Sequence, residues 1–146
     1  MPDFSKATII KAFKQKDREK QNLKKQCHIL WREIVFKKAK GKCEYPFCDQ
    51  KATQPHHIKT KGAYPHLRYD EKNGMALCYN HHKGGKLGAH CDINFKDIII
   101  ASGVRSKEFF ILLERKADSK YKLDLNLVKL DLLNEIKKYE GGKKES

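Results

Sequence analysis

No run of apolar residues in this chain approaches the roughly 20 needed to cross a bilayer, so a membrane span is not expected. The start, MPDFSKATII, lacks the basic stretch, apolar core and small-residue cleavage site of an export leader, and a cytoplasmic setting is the expectation. Acids are scarce, with 18 Asp and Glu against 32 Lys and Arg and a formal net charge of +14. Proline is rarer still, and three of the four sit between positions 43 and 91. The cysteine count, five, is odd, which argues against a disulfide framework and for a reducing compartment. There is no internal repeat and no low-complexity tract. What remains is a chain of 146 residues, 39% hydrophobic and 34% charged, that fits one small domain with helical extensions.

The basic excess is uneven. Residues 1–42 carry 13 Lys and Arg against 4 acids, residues 43–91 carry 7 against 4, and residues 92–146 carry 12 against 10. A basic N-terminal arm of that kind suits phosphate backbone, although a charge run is often only a solvated helix face. From Ser5 to about Lys25 the residues are helix formers without Gly or Pro, and Phe4, Ile9, Ile10 and Phe13 supply an apolar stripe that predicts packing at the start of a helix. A second apolar group, Ile29, Leu30, Trp31, Ile34, Val35 and Phe36, predicts a helix facing a core, with Gly41 as terminator.

Residues 43–91 differ in kind. Short strands are expected at Ala52–Lys59 and Met75–Leu77, then a short helix from Tyr79 to about Leu87 that Gly84, Gly85 and Gly88 soon stop. Beyond it, Phe95–Ala101 is apolar enough to be buried. Ser106–Asp118 reads as an amphipathic helix capped by Ser106, and Leu125, Val128, Leu132 and Ile136 mark a last helix before a frayed GGKKES tail. The expectation is an α+β, mainly helical chain: a basic helical extension over 1–42, a small metal-stabilised core over 43–91 and a helical segment over 92–146.

Six of the seven histidines and three of the five cysteines lie between Cys43 and His90. Cys43 and Cys48 bracket Tyr45-Pro46, so both thiolates can face one ion, and Cys78 and His81 have the spacing of a ligand pair at a strand-to-helix junction. Together they form a Cys3His set typical of structural zinc. His82 or His90 could substitute for His81 as the fourth ligand, and the alternative, ordinary buried thiols at Cys43 and Cys48, accounts less well for paired spacing on both sides. Cys27 and His28 fall in a predicted helix and read as structural, and Cys91 as a spare thiol.

The adjacent His56 and His57 would face opposite sides of a strand, so one can ligate a metal while its neighbour faces a substrate. Followed by Asn73 in DEKNGMALC and by His81-His82, this HHI doublet resembles the HNH, or ββα-metal, endonuclease motif in the variant that carries a zinc knuckle. The likeness covers about a third of the chain. RYDEKNG and the helical tail resemble, more distantly, phage recombination nucleases of the NinG type.

The resemblance implies a ββα-metal core and metal-dependent hydrolysis of DNA, by nicking, double-strand cutting or cleavage of branched substrates, in a phage or bacterial setting. It also implies roles: His57 as the general base, His56 and His82 as ligands of a catalytic Mg²⁺ or Mn²⁺, Asn73 as the residue that holds the loop and orients the base, and Cys43, Cys48, Cys78 and His81 as the zinc set. Most relatives have Cys where His81 stands, so His81 and His82 could exchange roles.

Two positions are additional candidates. His90 could ligate only after a bend through Gly84, Gly85 and Gly88, and otherwise packs on the zinc module. Arg68 could clamp a phosphate or pair with Asp70 or Glu71. His66 reads as solvated or facing DNA, and Lys83 and Lys86 as exposed. The rival function is a non-catalytic zinc-finger-like nucleic-acid binder, for which the doublet with Asn73 would have no use; a structural phage or toxin protein retaining the fold is a third. The terminal helices could pack on the core or on a second copy.

Overall fold

A computed structural model describes residues 5–141. The fold is α+β and mainly helical: the described residues form four α-helices and one two-stranded sheet. The first helix, α1, is a single element, Lys6–Lys38. Ser5 caps it, its hydroxyl accepting from the Thr8 amide at 3.2 Å. With no Gly or Pro between Asp3 and Lys40, nothing interrupts it, and it ends where Lys40 (φ 55°) and Gly41 (φ 76°) turn left-handed. Two sequence expectations change here. The two apolar groups lie on one continuous helix, and the packed part is its second half, where Cys27, Trp31, Ile34 and Val35 are buried. Ile9, Ile10, Phe13 and also Ile29 are exposed, because no other element among the described residues packs on them; Phe4 lies outside the described residues.

The strand β1 (Gln54–His57) is half the expected length, whereas β2 (Gly74–Leu77) is one residue longer than expected; the two pair antiparallel, with His56 opposite Met75 and His57 opposite Gly74. Alternation along the strands divides the interior. Ala76 joins a core with Cys27, Trp31, Ile34 and Val35 of α1 and Leu132 and Ile136 of the last helix. Met75 and Leu77 point the other way, into a core with Cys43, Cys78, Phe95, Ile99 and Phe110. The hairpin is thus a middle layer. A side chain on Gly74 would collide with Val35 and approach Trp31 Cζ2 to 3.0 Å, so glycine is what lets α1 lie close to β2.

Three further helices complete the chain: α2 (Phe95–Ala101), α3 (Lys107–Asp118) and α4 (Leu125–Gly141). Ser106 caps α3 as expected, accepting from the Phe109 amide at 3.0 Å, and Asp124 accepts from Asn126 and Leu127 at the start of α4. Leu132 and Ile136 are buried, whereas Leu130 and Leu133 face outward. The tail after Gly141 lies outside the described residues. No helix among the described residues is long and apolar enough to cross a membrane.

Candidate metal centre and flanking imidazole

The segment around Cys43 is a tight knuckle: its amide bonds Gln50 O at 2.9 Å and the Cys48 amide bonds Tyr45 O at 3.1 Å. It is docked on β2 by the Glu44 amide to Ala76 O at 2.8 Å and by the Ala76 amide to Glu44 Oε2 at 2.7 Å, while Arg105 holds the other carboxylate oxygen at 2.6 Å. Cys78 follows β2 directly, and a single wide π-helical turn, Asn80–Gly84, takes the place of the longer helix expected from Tyr79. This turn presents His81 and His82 to different sides.

His81 goes to the cysteines. One ligand atom from each of Cys43, Cys48, Cys78 and His81 lies within 4.8 Å of all the others, with His81 Nδ1 at 3.2 Å from Cys78 Sγ and 3.7 Å from Cys43 Sγ. A tetrahedral zinc with bonds of about 2.0 to 2.3 Å would place such pairs at roughly 3.5 Å, so the set is a possible zinc site. Tyr45 covers it, its ring stacked on His81 at 4.0 Å between centroids. Burial pushes the Cys43 thiol up to about 12, against the pull of the Cys78 and Tyr45 amides. Such a thiol would stay protonated at neutral pH unless a cation displaced the proton.

His82 goes to the other histidines. It forms a second cluster with His56 and His90, again within 4.8 Å, and the Nε2 atoms of His82 and His90 are 2.9 Å apart. His90 therefore belongs to the cluster rather than serving only as packing. The glycine-rich bend makes this geometry: Gly88 N bonds Gly85 O at 3.0 Å, Ala89 N bonds His81 O at 2.7 Å, and His90 N bonds His82 O at 3.1 Å. A Cβ on Gly88 would sit 3.0 Å from His82 O and 3.1 Å from Asn80 O, so the fold-back would have to loosen slightly to admit one.

Gln54, which sequence reading missed, fixes the tautomer of His82. Its Oε1 accepts from Nδ1–H and leaves the Nε2 lone pair facing the cluster. Gln54 shares a strand face with His56, so the i, i+2 spacing was a usable signal. His56 Nδ1 is buried without a hydrogen-bond partner, an orphan that a cation would satisfy. Burial holds His56 down to about 3 and His82 down to about 4, with neighbouring imidazoles adding to the effect. Both are neutral, the ligating form, at pH 7.

His57 takes the opposite face. Its ring stacks on Trp31 at 4.1 Å and 12°, and Nε2 lies 2.9 Å from Arg68 O. A carbonyl only accepts, so the proton sits on Nε2 and the lone pair on Nδ1. Burial lowers His57 to about 4; the Arg68 carbonyl opposes that, and His28, Lys61 and Arg68 reinforce it. Asn73 acts on this ring through the loop. Its Oδ1 accepts from Lys59 N at 2.6 Å, and its Nδ2 donates to Lys59 O at 2.9 Å and Leu67 O at 3.1 Å, one residue before the carbonyl that His57 grips. Asn73 is fully buried.

Other candidates resolve individually. His66 is not solvated: it is buried, with Nε2 2.8 Å from Lys116 O, and pins the loop to α3. Arg68 pairs with neither Asp70, whose carboxylate takes Lys116 at 2.9 Å, nor Glu71; its Nε is buried without a partner. Cys27 is buried and Cys91 exposed. His28, half-buried on α1, was read as structural, yet its ring lies beside both Trp31 (5.7 Å) and His57 (6.4 Å). Comparison with family models, with curated proteins and with solved structures found no match to this chain.

Proposed function

We propose that this protein is a metal-dependent endonuclease of the HNH kind, hydrolysing phosphodiester bonds in DNA. The supporting observation is the division of labour at the end of β1: His56 joins His82 and His90 at one point, while the next residue, His57, is held neutral with its free lone pair on Nδ1. A nucleic-acid binder needs only the zinc knuckle, which Cys43, Cys48, Cys78 and His81 would form around Zn²⁺.

His56, His82 and His90 would hold the second ion. A divalent cation there would supply positive charge to the phosphoryl oxygens and the departing 3′ oxygen. An all-imidazole set favours Mn²⁺ or another transition metal over Mg²⁺, which prefers oxygen ligands. His57 Nδ1 accepts a proton from the attacking water as its oxygen bonds phosphorus. Arg68 O keeps the ring oriented, and Asn73 keeps Arg68 in place. Solvent reprotonates the leaving oxygen, giving a 5′ phosphate and a 3′ hydroxyl. The Arg68 guanidinium, which forms no ion pair among the described residues, would hold a phosphate oxygen.

The test is cleavage of plasmid and branched DNA with Mn²⁺ or Mg²⁺. His57→Ala should lower the rate by about 10²- to 10⁴-fold while zinc content, folding and DNA affinity stay at parental values. Parental cleavage by this variant would remove His57 from the role of base.

A further inference from the structure

Every residue of α1 from Ser5 to Asn22 is exposed, so about half of the helix projects beyond the core. A free helix of that length would be marginal alone, but it propagates here from a half already fixed by packing. Its charges are ordered. Lys11, Lys14, Arg18, Gln21, Lys25, His28 and Arg32 succeed one another by alternating steps of three and four, which puts them on one side of a helix with 3.6 residues per turn. Acids are absent from this stripe. Among the described residues none of its five cations is in an ion pair: Arg18 bonds the neutral Gln15 at 3.1 Å and Arg32 the Thr53 carbonyl at 3.4 Å. At its inner end lies His28, ring to ring with Trp31 and His57.

We infer that this stripe is a track for duplex DNA leading to His57, so that the substrate is a double helix continuing to one side of the cut. From Lys11 to Arg32 the helix rises about 32 Å, roughly nine base pairs at 3.4 Å each. The inference rests on the nuclease reading for where the DNA is cut and names the substrate class of that site. Its physical basis is charge complementarity along a helix whose first half no other element among the described residues covers, continuous with the face that presents the base.

The experiment compares two triple variants of the full chain, each also carrying His57→Ala, for binding to a labelled duplex of about 30 base pairs. Lys11→Gln, Lys14→Gln and Arg18→Gln alter the stripe. Lys6→Gln, Lys16→Gln and Lys20→Gln remove the same charge from the other sides of the same free segment. Glutamine and lysine have similar helix propensity, so both triples keep the helix.

Affinity of the stripe triple should fall about 100-fold near 0.15 M salt and its salt slope should flatten by about 3, while the other triple stays within about threefold of the parent. Equal losses from both triples would overturn the track, leaving only net charge. So would no loss from either, as when the arm packs on a second copy and the protein sediments as a dimer. Equal losses with a duplex and with single-stranded RNA would overturn the duplex assignment. If the stripe triple alone loses binding but protein with His57 intact never cleaves DNA, the track stands and the nuclease reading falls.

Discussion

The two Cys/His clusters differ in composition, number and cover. The first offers three sulfurs and one nitrogen, four atoms in all, with the Tyr45 ring lying over His81. The second offers three nitrogens, two from buried rings and one from the exposed His90. A closed tetrahedral set has no position left for a substrate, whereas three ligands with an exposed edge leave one open. Adjacent residues of one π-helical turn, His81 and His82, serve the two clusters, and the wider turn is what sends them apart. The two candidate metal sites are thus separated by residue chemistry and by a local backbone choice, over a very short stretch of chain.

The contrast breaks most sharply under substitution of a ligand. Cys43→Ser should abolish zinc binding and cooperative unfolding together, because the knuckle carries Glu44 against β2 and its thiols join the core beneath Phe95. His82→Ala should leave one equivalent of zinc and the fold intact and remove only the second ion. Metal analysis alongside thermal unfolding checks both. A soluble, active, zinc-free Cys43→Ser protein would end the distinction between scaffold and site. A subtler probe is Gln54→Ala, which leaves all three imidazoles in place but frees the tautomer of His82. Metal affinity at the histidine cluster should drop about 10- to 100-fold, with the zinc of the knuckle unmoved, as read by Mn²⁺ titration. An unchanged Mn²⁺ affinity would mean that Gln54 does not orient the ligand.

Much of this was legible in the chain. Paired spacing at Cys43/Cys48 and Cys78/His81 pointed to the first cluster, and strand alternation at His56-His57 to the divided faces. His90 was only half legible. Its inclusion depends on a fold-back whose hydrogen bonds, such as His90 N to His82 O, are non-local to any helix pattern. Gln54 and Trp31 were missed as site residues because a glutamine and a core aromatic have many ordinary uses, and only the fold puts them against His82 and His57. The exposed stripe of Ile9, Ile10 and Phe13 misled for the opposite reason: periodicity predicts a buried face only when something arrives to bury it.

The smallest expected effect concerns pH, and it tests whether His57 differs from an ordinary surface histidine. Burial holds its folded value near 4, well below the usual 6.5. The neutral, proton-accepting form therefore predominates down to about pH 5, and a cation in the neighbouring cluster presses it lower still. With metal saturating, the cleavage rate should change by less than about twofold between pH 8 and pH 5.5, whereas a base titrating at 6.5 would lose about tenfold over its acid side.

Stability has the same sign. The folded value lies below the unfolded one, so the unfolded chain binds more protons under pH 6.5. Protein with zinc in the knuckle and no second ion keeps the full contribution of His56, His57 and His82 above pH 6.5 and loses it as pH falls toward 4. A rate that bends at 6.5 without a matching change in unfolding would place the catalytic proton on a solvent-exposed group, and the buried ring on Trp31 would then be only part of the scaffold.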